Sequence, residues 1–184
     1  MAIAGEAGLL VLGWGLAHWL GIDLVERKNI TVIAAIAGVA ASAPLLLGLG
    51  WTLTTRSPSV RRLVELVENQ LGPLLVSRGV IQLALLAIGA GAAEEVVFRG
   101  VLQVWLARSL PDGIALLLAA AFFGIAHWLT RAYVVLAAIG GVYLGLLFWA
   151  TGNLIIPIVA HAAYDLVALS VLVRRYRAAH KASD

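Results

Sequence analysis

Long apolar stretches alternate with short polar segments along most of this 184-residue chain. Because a helix needs about 20 mostly apolar residues to cross a bilayer, the longest stretches predict transmembrane helices. The third stretch exceeds the length of a single span, so it either projects beyond the hydrocarbon or breaks, and Gly89 and Gly91 are the places where a bend is expected. The pattern therefore predicts an all-α, polytopic membrane protein with about six transmembrane helices, at roughly 3–21, 30–53, 79–107, 113–129, 132–150 and 153–173.

A different pattern fills the segment between the second and third stretches. Ser57 suits a helix N-cap and Pro58 the first helical position, and Gly72-Pro73 predicts the end of the helix. An amphipathic helix of this kind typically lies in the membrane interface, and an ordinary polar loop is the alternative interpretation. The apolar residues of the segment share one helix face: Val60, Leu63, Val64, Val67 and Leu71.

The composition agrees with a membrane location. Hydrophobic residues make up 62% of the chain and charged residues only 12%, whereas soluble domains carry about 25% charged residues. We therefore expect an integral membrane protein, and the length predicts one domain over residues 1–184. The chain has no cysteine, which excludes disulfides and thiolate metal sites.

The net charge of +3 raises the possibility of nucleic-acid binding, which the distribution of the charges argues against. Basic residues concentrate on one side of a six-span topology, as the positive-inside rule requires. We therefore expect a multi-pass protein of the cell (inner) membrane with both termini in the cytoplasm. That side holds nine of the thirteen Lys and Arg residues: Arg56, Arg61, Arg62, Arg78, Arg131, Arg174, Arg175, Arg177 and Lys181.

Three charged residues interrupt the third apolar stretch, namely Glu94, Glu95 and Arg99. A charged side chain at the bilayer centre costs roughly 2.5–3.5 kcal/mol even on lenient scales, so these residues must pair. Glu95 and Arg99 are four apart and can pair on one helix face, while Glu94 points about 100° away. A carboxylate left over in this way suits general acid–base catalysis. A buried triad that only holds helices together is the structural alternative.

Two histidines lie in later apolar stretches. His127 follows Phe123 by four residues in the fourth stretch, and Asp165 follows His161 by four in the sixth. A lone histidine in an apolar helix is more often a packing residue, and a His–Asp pair can simply crosslink helices. The intramembrane acids offer both histidines partners, however, and a carboxylate one turn away can orient an imidazole. We therefore count His127, His161 and Asp165 as candidate site residues.

In this order, Glu-Glu-x-x-x-Arg, Phe-x-x-x-His and a late His-x-x-x-Asn/Asp resemble the motifs of the CPBP intramembrane proteases. That family includes the type II CAAX prenyl endopeptidases and the Abi-like bacteriocin-processing and immunity proteins. The resemblance covers about residues 75–173, the expected catalytic core, and the chain resembles a minimal prokaryotic member. The matching residues are Glu94, Glu95, Arg99, Phe123, His127, His161 and Asp165.

The resemblance implies peptide-bond hydrolysis in the membrane without a covalent intermediate, on a membrane-embedded or lipid-anchored substrate that is prenylated or leader-bearing. It implies that Glu94 and His127 activate water, and that His161, oriented by Asp165, stabilises the oxyanion. Glu95 and Arg99 would position the helix. The last motif position is commonly Asn, and an ionised Asp165 cannot donate a hydrogen bond as Asn does. This departure weakens the inference that the substrate is prenylated. It weakens the assignment as a peptidase less.

A metal requirement stays open at this point. Glu94, His127 and His161 are the candidate ligands, and carboxylates with imidazoles can hold zinc with an open position. The His-Glu-x-x-His spacing is absent, which favours catalysis without a metal.

Two functions from other classes compete with the peptidase. One is a non-enzymatic immunity or scaffold protein of the same fold, but such a protein is expected to lose motif residues, and this chain keeps all of them. The other is a proton-coupled transporter that uses Glu94 and the histidines as a relay. The chain has no extended internal repeat of the kind that marks many transporters, which argues against this alternative.

Overall fold

Every regular element among the described residues is a helix, as the hydrophobic pattern predicts. The structure is a computed structural model that describes residues 2–25, 27 and 29–181. In chain order its elements are α1 Ala2–Trp19, α2 Val32–Ala41, α3 Ala43–Thr54, α4 Pro58–Leu75, α5 Val80–Glu95, a π-helical segment Val96–Gln103, α6 Val104–Leu106, α7 Asp112–Ala126, α8 Arg131–Thr151 and α9 Ile155–Lys181.

Four helical runs in the described part of the chain are long and apolar enough to cross a membrane. They are Val32–Thr54, Val80–Leu106, Arg131–Thr151 and Ile155–His180. Helix α7 is apolar but has 15 residues, and α1, with 18 residues, is not among the four. The protein is therefore an all-helical membrane protein with four candidate spans, and the count of about six stays a prediction.

The third predicted stretch departs from a regular α-helix, but not at the expected glycines. Helix α5 runs through Gly89 and Gly91 without a break. The backbone hydrogen bonding changes from the α-helical to the π-helical pattern only at Val96–Gln103. Gly91 serves close packing instead, since a Cβ there would lie 3.0 Å from Ala162 N on α9. The two glycines therefore do not break the helix, and Gly91 instead accommodates a neighbouring helix.

Helix α4 begins as predicted and ends later than predicted. Pro58 is its first residue and Ser57 occupies the N-cap position, without a side-chain capping bond. The helix continues past Gly72-Pro73 to Leu75, because a proline in the last turn removes only one hydrogen bond. Gly72 allows α4 to touch α9, where a Cβ would lie 2.2 Å from the ring atom Cδ2 of Tyr176. The interfacial position of α4 stays a prediction.

The π-helical segment is held against α8 by two buried side chains. The Arg99 guanidinium donates to the Gly141 carbonyl at 3.0 Å, and the Gln103 amide donates to the Gly145 carbonyl at 3.3 Å. Gly141 also lets α7 approach, since a Cβ there would lie 3.2 Å from Ala120 Cα. These contacts fix the helix that carries Glu94 and Glu95 relative to α7 and α8.

Candidate active site

Glu95 lies at the centre of the polar cluster and is fully buried. Its Oε1 atom accepts from Arg99 Nη1 at 2.8 Å and from His161 Nδ1 at 2.8 Å. The predicted pairing of Glu95 with Arg99 is therefore confirmed. Burial of both charges is tolerated because they neutralise each other, and Phe123 covers Arg99 with its ring centre 4.5 Å from Cζ.

The side chain that orients His161 is Glu95, which corrects the expectation for Asp165. Because an ionised carboxylate only accepts, the proton of this hydrogen bond lies on His161 Nδ1. Asp165 Oδ2 instead faces the other ring nitrogen, Nε2, at 3.6 Å. That distance allows electrostatic attraction but is too long for a hydrogen bond. Asp165 thus lies at the site without fixing the ring.

Glu94 faces both histidines with a single oxygen. Its Oε2 lies 3.4 Å from His127 Nε2 and 3.8 Å from His161 Nε2. This oxygen is buried and accepts no hydrogen bond from the described residues. The structure therefore brings together Glu94, Glu95, His127 and His161, as the sequence predicts, with Glu94 between the two imidazoles.

The local backbone holds the His127 ring in place. His127 is the C-cap residue of α7, and its Nδ1 lies 2.8 Å from the Phe123 carbonyl oxygen. A carbonyl can only accept, so Nδ1 carries the proton and the Nε2 lone pair is directed at Glu94. The Phe123 ring packs against the imidazole with centroids 4.4 Å apart. Phe123 of the second motif thus positions His127 through both its carbonyl and its ring.

A largely apolar cavity of about 530 Å³ leads to the cluster between α3, α4, α8 and α9. His127, His161 and Asp165 lie on its wall. Its far rim carries Arg175, which donates to Glu68 of α4. His161 and Arg175 are fourteen residues apart on α9, about 21 Å along the helix axis. A site of this shape suits an elongated, largely apolar ligand.

Sequence reasoning missed two tyrosines on this wall, Tyr133 and Tyr164. Tyr133 meets the His127 ring edge-on with centroids 5.8 Å apart. Tyr164 follows His161 by three residues on the same helix, so helical spacing could have placed it near the site. No local signal marks Tyr133, because its neighbour His127 lies across the turn between two helices.

The candidate zinc ligands Glu94, His127 and His161 do meet, and their donor chemistry suits zinc. In the part of the chain that the structure describes, however, no group of three or more His, Asp or Glu side chains is arranged to hold a metal ion. Catalysis without a metal therefore stays a prediction.

The comparisons with known proteins place the chain in a family. No curated protein matches the chain, and neither does a solved structure. The family model for type II CAAX prenyl endopeptidases, Rce1-like, matches residues 76–167. That range spans 92 of the 184 residues and includes every candidate site residue from Glu94 to Asp165. The chain therefore belongs to the Rce1-like family of type II CAAX prenyl endopeptidases, which are CPBP intramembrane proteases acting on membrane-associated substrates.

Proposed function

We propose that this protein is a glutamate-dependent, metal-independent intramembrane endopeptidase. The observation that carries the proposal is Glu94 Oε2, a buried oxygen that faces the Nε2 atoms of both histidines. A carboxylate in this position can accept a proton from water, and its two neighbours can hold water and stabilise the developing charge.

Glu94 and His127 activate the water. Both Glu94 Oε2 and His127 Nε2 are acceptors, and their separation of 3.4 Å lets one water donate a hydrogen bond to each. The water lone pair then points at the carbonyl carbon of the substrate. Glu94 takes one proton from the water, and the water oxygen attacks the carbonyl carbon. The carbonyl π electrons move to the carbonyl oxygen, which becomes the oxyanion. Glu94 then returns the proton to the leaving amine as the C–N bond breaks.

His161 stabilises the oxyanion. Its Nδ1–H is held by Glu95, so Nε2 must be protonated to donate a hydrogen bond to the substrate oxygen. The carboxylates of Glu94, Glu95 and Asp165 all lie within 3.8 Å of the ring and favour this imidazolium form. Arg99 holds Glu95 in place through its ion pair at 2.8 Å. Glu95, Arg99 and Asp165 therefore act through His161.

The apolar cavity favours a membrane-embedded or lipid-anchored polypeptide, prenylated or leader-bearing, over a soluble peptide. In this proposal residues 1–184 form one membrane domain with residues 75–173 as its catalytic core. About six segments span the cell (inner) membrane, α4 lies in its interface, and both termini are cytoplasmic. The α4 face that lines the cavity includes Leu63, Val64 and Val67, so an interfacial α4 would form the cytoplasmic wall of the cavity.

A cleavage assay in lipid nanodiscs tests the proposal with reporter peptides, prenylated or carrying an apolar leader. We expect the wild type to cleave a reporter and Glu94→Gln to lose turnover while keeping its thermal unfolding midpoint. Glu65→Gln, an exposed carboxylate on α4, is the matched control and should cleave like the wild type. Wild-type turnover by Glu94→Gln would reject the base assignment. A folded wild type that cleaves no reporter would favour a scaffold function, and Glu94-dependent proton flux into vesicles would favour a transporter.

A further inference from the structure

A second cavity lies at the other end of α8 from the proposed active site. It encloses about 540 Å³, a volume typical of small-ligand sites. Phe148 and Trp149 of α8 line it, together with the C-cap residue Gly152, whereas the first cavity is lined by α8 residues between Tyr133 and Leu144. Nothing in the proposed peptidase mechanism uses it.

The charged residues of this cavity balance each other. Arg27 and Arg108 contribute two guanidinium groups, and Asp23 and Asp112 contribute two carboxylates. A lining with equal numbers of both charges favours a ligand that carries both, over a simple anion or cation.

Two of these side chains are held in fixed orientations. Arg108 donates from Nη1 to the Leu20 carbonyl at 2.7 Å and from Nη2 to the Gly21 carbonyl at 3.0 Å. A guanidinium has five N–H donors, so further donors stay available for a phosphate. Asp112 accepts from Trp149 Nε1 through Oδ2 at 3.2 Å, which leaves Oδ1 as an acceptor.

Gln103 connects this cavity to α8 and to the helix of the proposed active site. It lines the cavity and is 5% exposed. Its Nε2 donates to Gly145, but its Oε1 is buried and has no hydrogen-bond partner among the described residues. This oxygen lies against Gly145, where a Cβ would come within 3.0 Å of it, so Gln103 joins the cavity wall to α8.

The surroundings indicate a ligand from the membrane. Three exposed tryptophans lie at or near the cavity. Trp149 lines it, Trp105 follows the lining residue Val104, and Trp19 precedes Leu20, whose carbonyl binds Arg108. Tryptophan concentrates where the headgroups of a bilayer lie. An amphiphile can therefore place its headgroup in the cavity while its acyl chains remain in the bilayer.

We propose that this cavity binds the headgroup of a phosphatidylethanolamine-type phospholipid. Arg27 and Arg108 bind the phosphate, and the primary ammonium donates to Asp112 Oδ1. Phosphatidylcholine has the same phosphate, but its quaternary ammonium has no N–H to donate. Selectivity between these two lipids therefore measures the ammonium contacts. Because Gln103 shares a helix with Glu94 and Glu95, the bound lipid stabilises the helix that carries the proposed active site.

Thermal unfolding of the full chain in nanodiscs tests the proposal. The bilayers contain a fixed fraction of phosphatidylglycerol, with either phosphatidylethanolamine or phosphatidylcholine as the remainder. We expect a midpoint higher by about 4 °C with phosphatidylethanolamine, because a ligand that binds only the folded state stabilises it. Arg27→Gln and Asp112→Asn should each remove most of this difference. Arg56→Gln, an exposed arginine outside the cavity, should keep it.

Equal midpoints in the two bilayers would overturn the proposal, and so would an undiminished difference in both cavity variants. Native mass spectrometry of the detergent-purified protein adds a readout that does not depend on bilayer properties. The wild type and Arg56→Gln should retain phosphatidylethanolamine, and the cavity variants should lose it. If water-soluble glycerophosphoethanolamine raises the midpoint equally in phosphatidylcholine bilayers, a lipid is rejected as the source of the headgroup. None of these measurements depends on peptidase activity.

Discussion

Replacing Glu95 by glutamine perturbs the carboxylate that joins two parts of the candidate site. Its Oε1 accepts from Arg99 and His161 at 2.8 Å each, and Glu95 and Arg99 are 0% and 1% exposed. Glutamine removes the charge that compensates the buried guanidinium. Breaking a buried pair in this way costs about 3–5 kcal/mol. For a chain of this length each kcal/mol lowers the unfolding midpoint by about 2–4 °C, so we expect a decrease of roughly 6–20 °C.

A double variant separates stability from catalysis. Glu95→Leu with Arg99→Met removes both charges, and replacing a buried pair by apolar residues is often close to neutral. We expect this variant to recover most of the lost midpoint. It should remain inactive in the reporter assay, because His161 has lost the carboxylate that holds its Nδ1–H.

Thermal unfolding and reporter cleavage, measured on the same nanodisc preparations, check both expectations. A Glu95→Gln midpoint within about 2 °C of the wild type would contradict the stability argument. Wild-type turnover by the double variant would show that Glu95 does not orient His161 for catalysis.

Asp165→Asn should retain substantial reporter cleavage, because its amide keeps a polar partner beside His161 Nε2, while Asp165→Leu removes that support from the oxyanion donor and should lose about 10²–10³ in rate; equal rates for Asp165→Leu and wild type would show that Asp165 has no catalytic role. Extensive chelation should leave turnover nearly unchanged and added zinc should inhibit, whereas activity that chelation abolishes and zinc restores would contradict metal-free catalysis. Gly72→Ala should lower the unfolding midpoint because its Cβ would lie 2.2 Å from Tyr176, and Gly48→Ala, with nothing within 4 Å, is the control; equal midpoints would refute the packing argument.

The sequence alone determined the class of the protein and the contacts within single helices. Apolar stretches longer than a bilayer crossing predict membrane helices in any tertiary arrangement. The pairing of Glu95 with Arg99 followed from their spacing of four, because local helix geometry fixes it. The motif order was sufficient to recognise the family before any contact between helices was known.

Only the tertiary structure decided which groups meet across helices. His161 donates to Glu95, 66 residues away, although Asp165 lies one turn along its own helix. Helical spacing places residues on a face but does not specify which neighbouring helix packs there. The same reason explains why the roles of Gly91 and Gly72 were not predicted. The sequence suggested a bend at Gly91 and a helix end at Gly72. In the fold both are points where another helix comes too close for a Cβ.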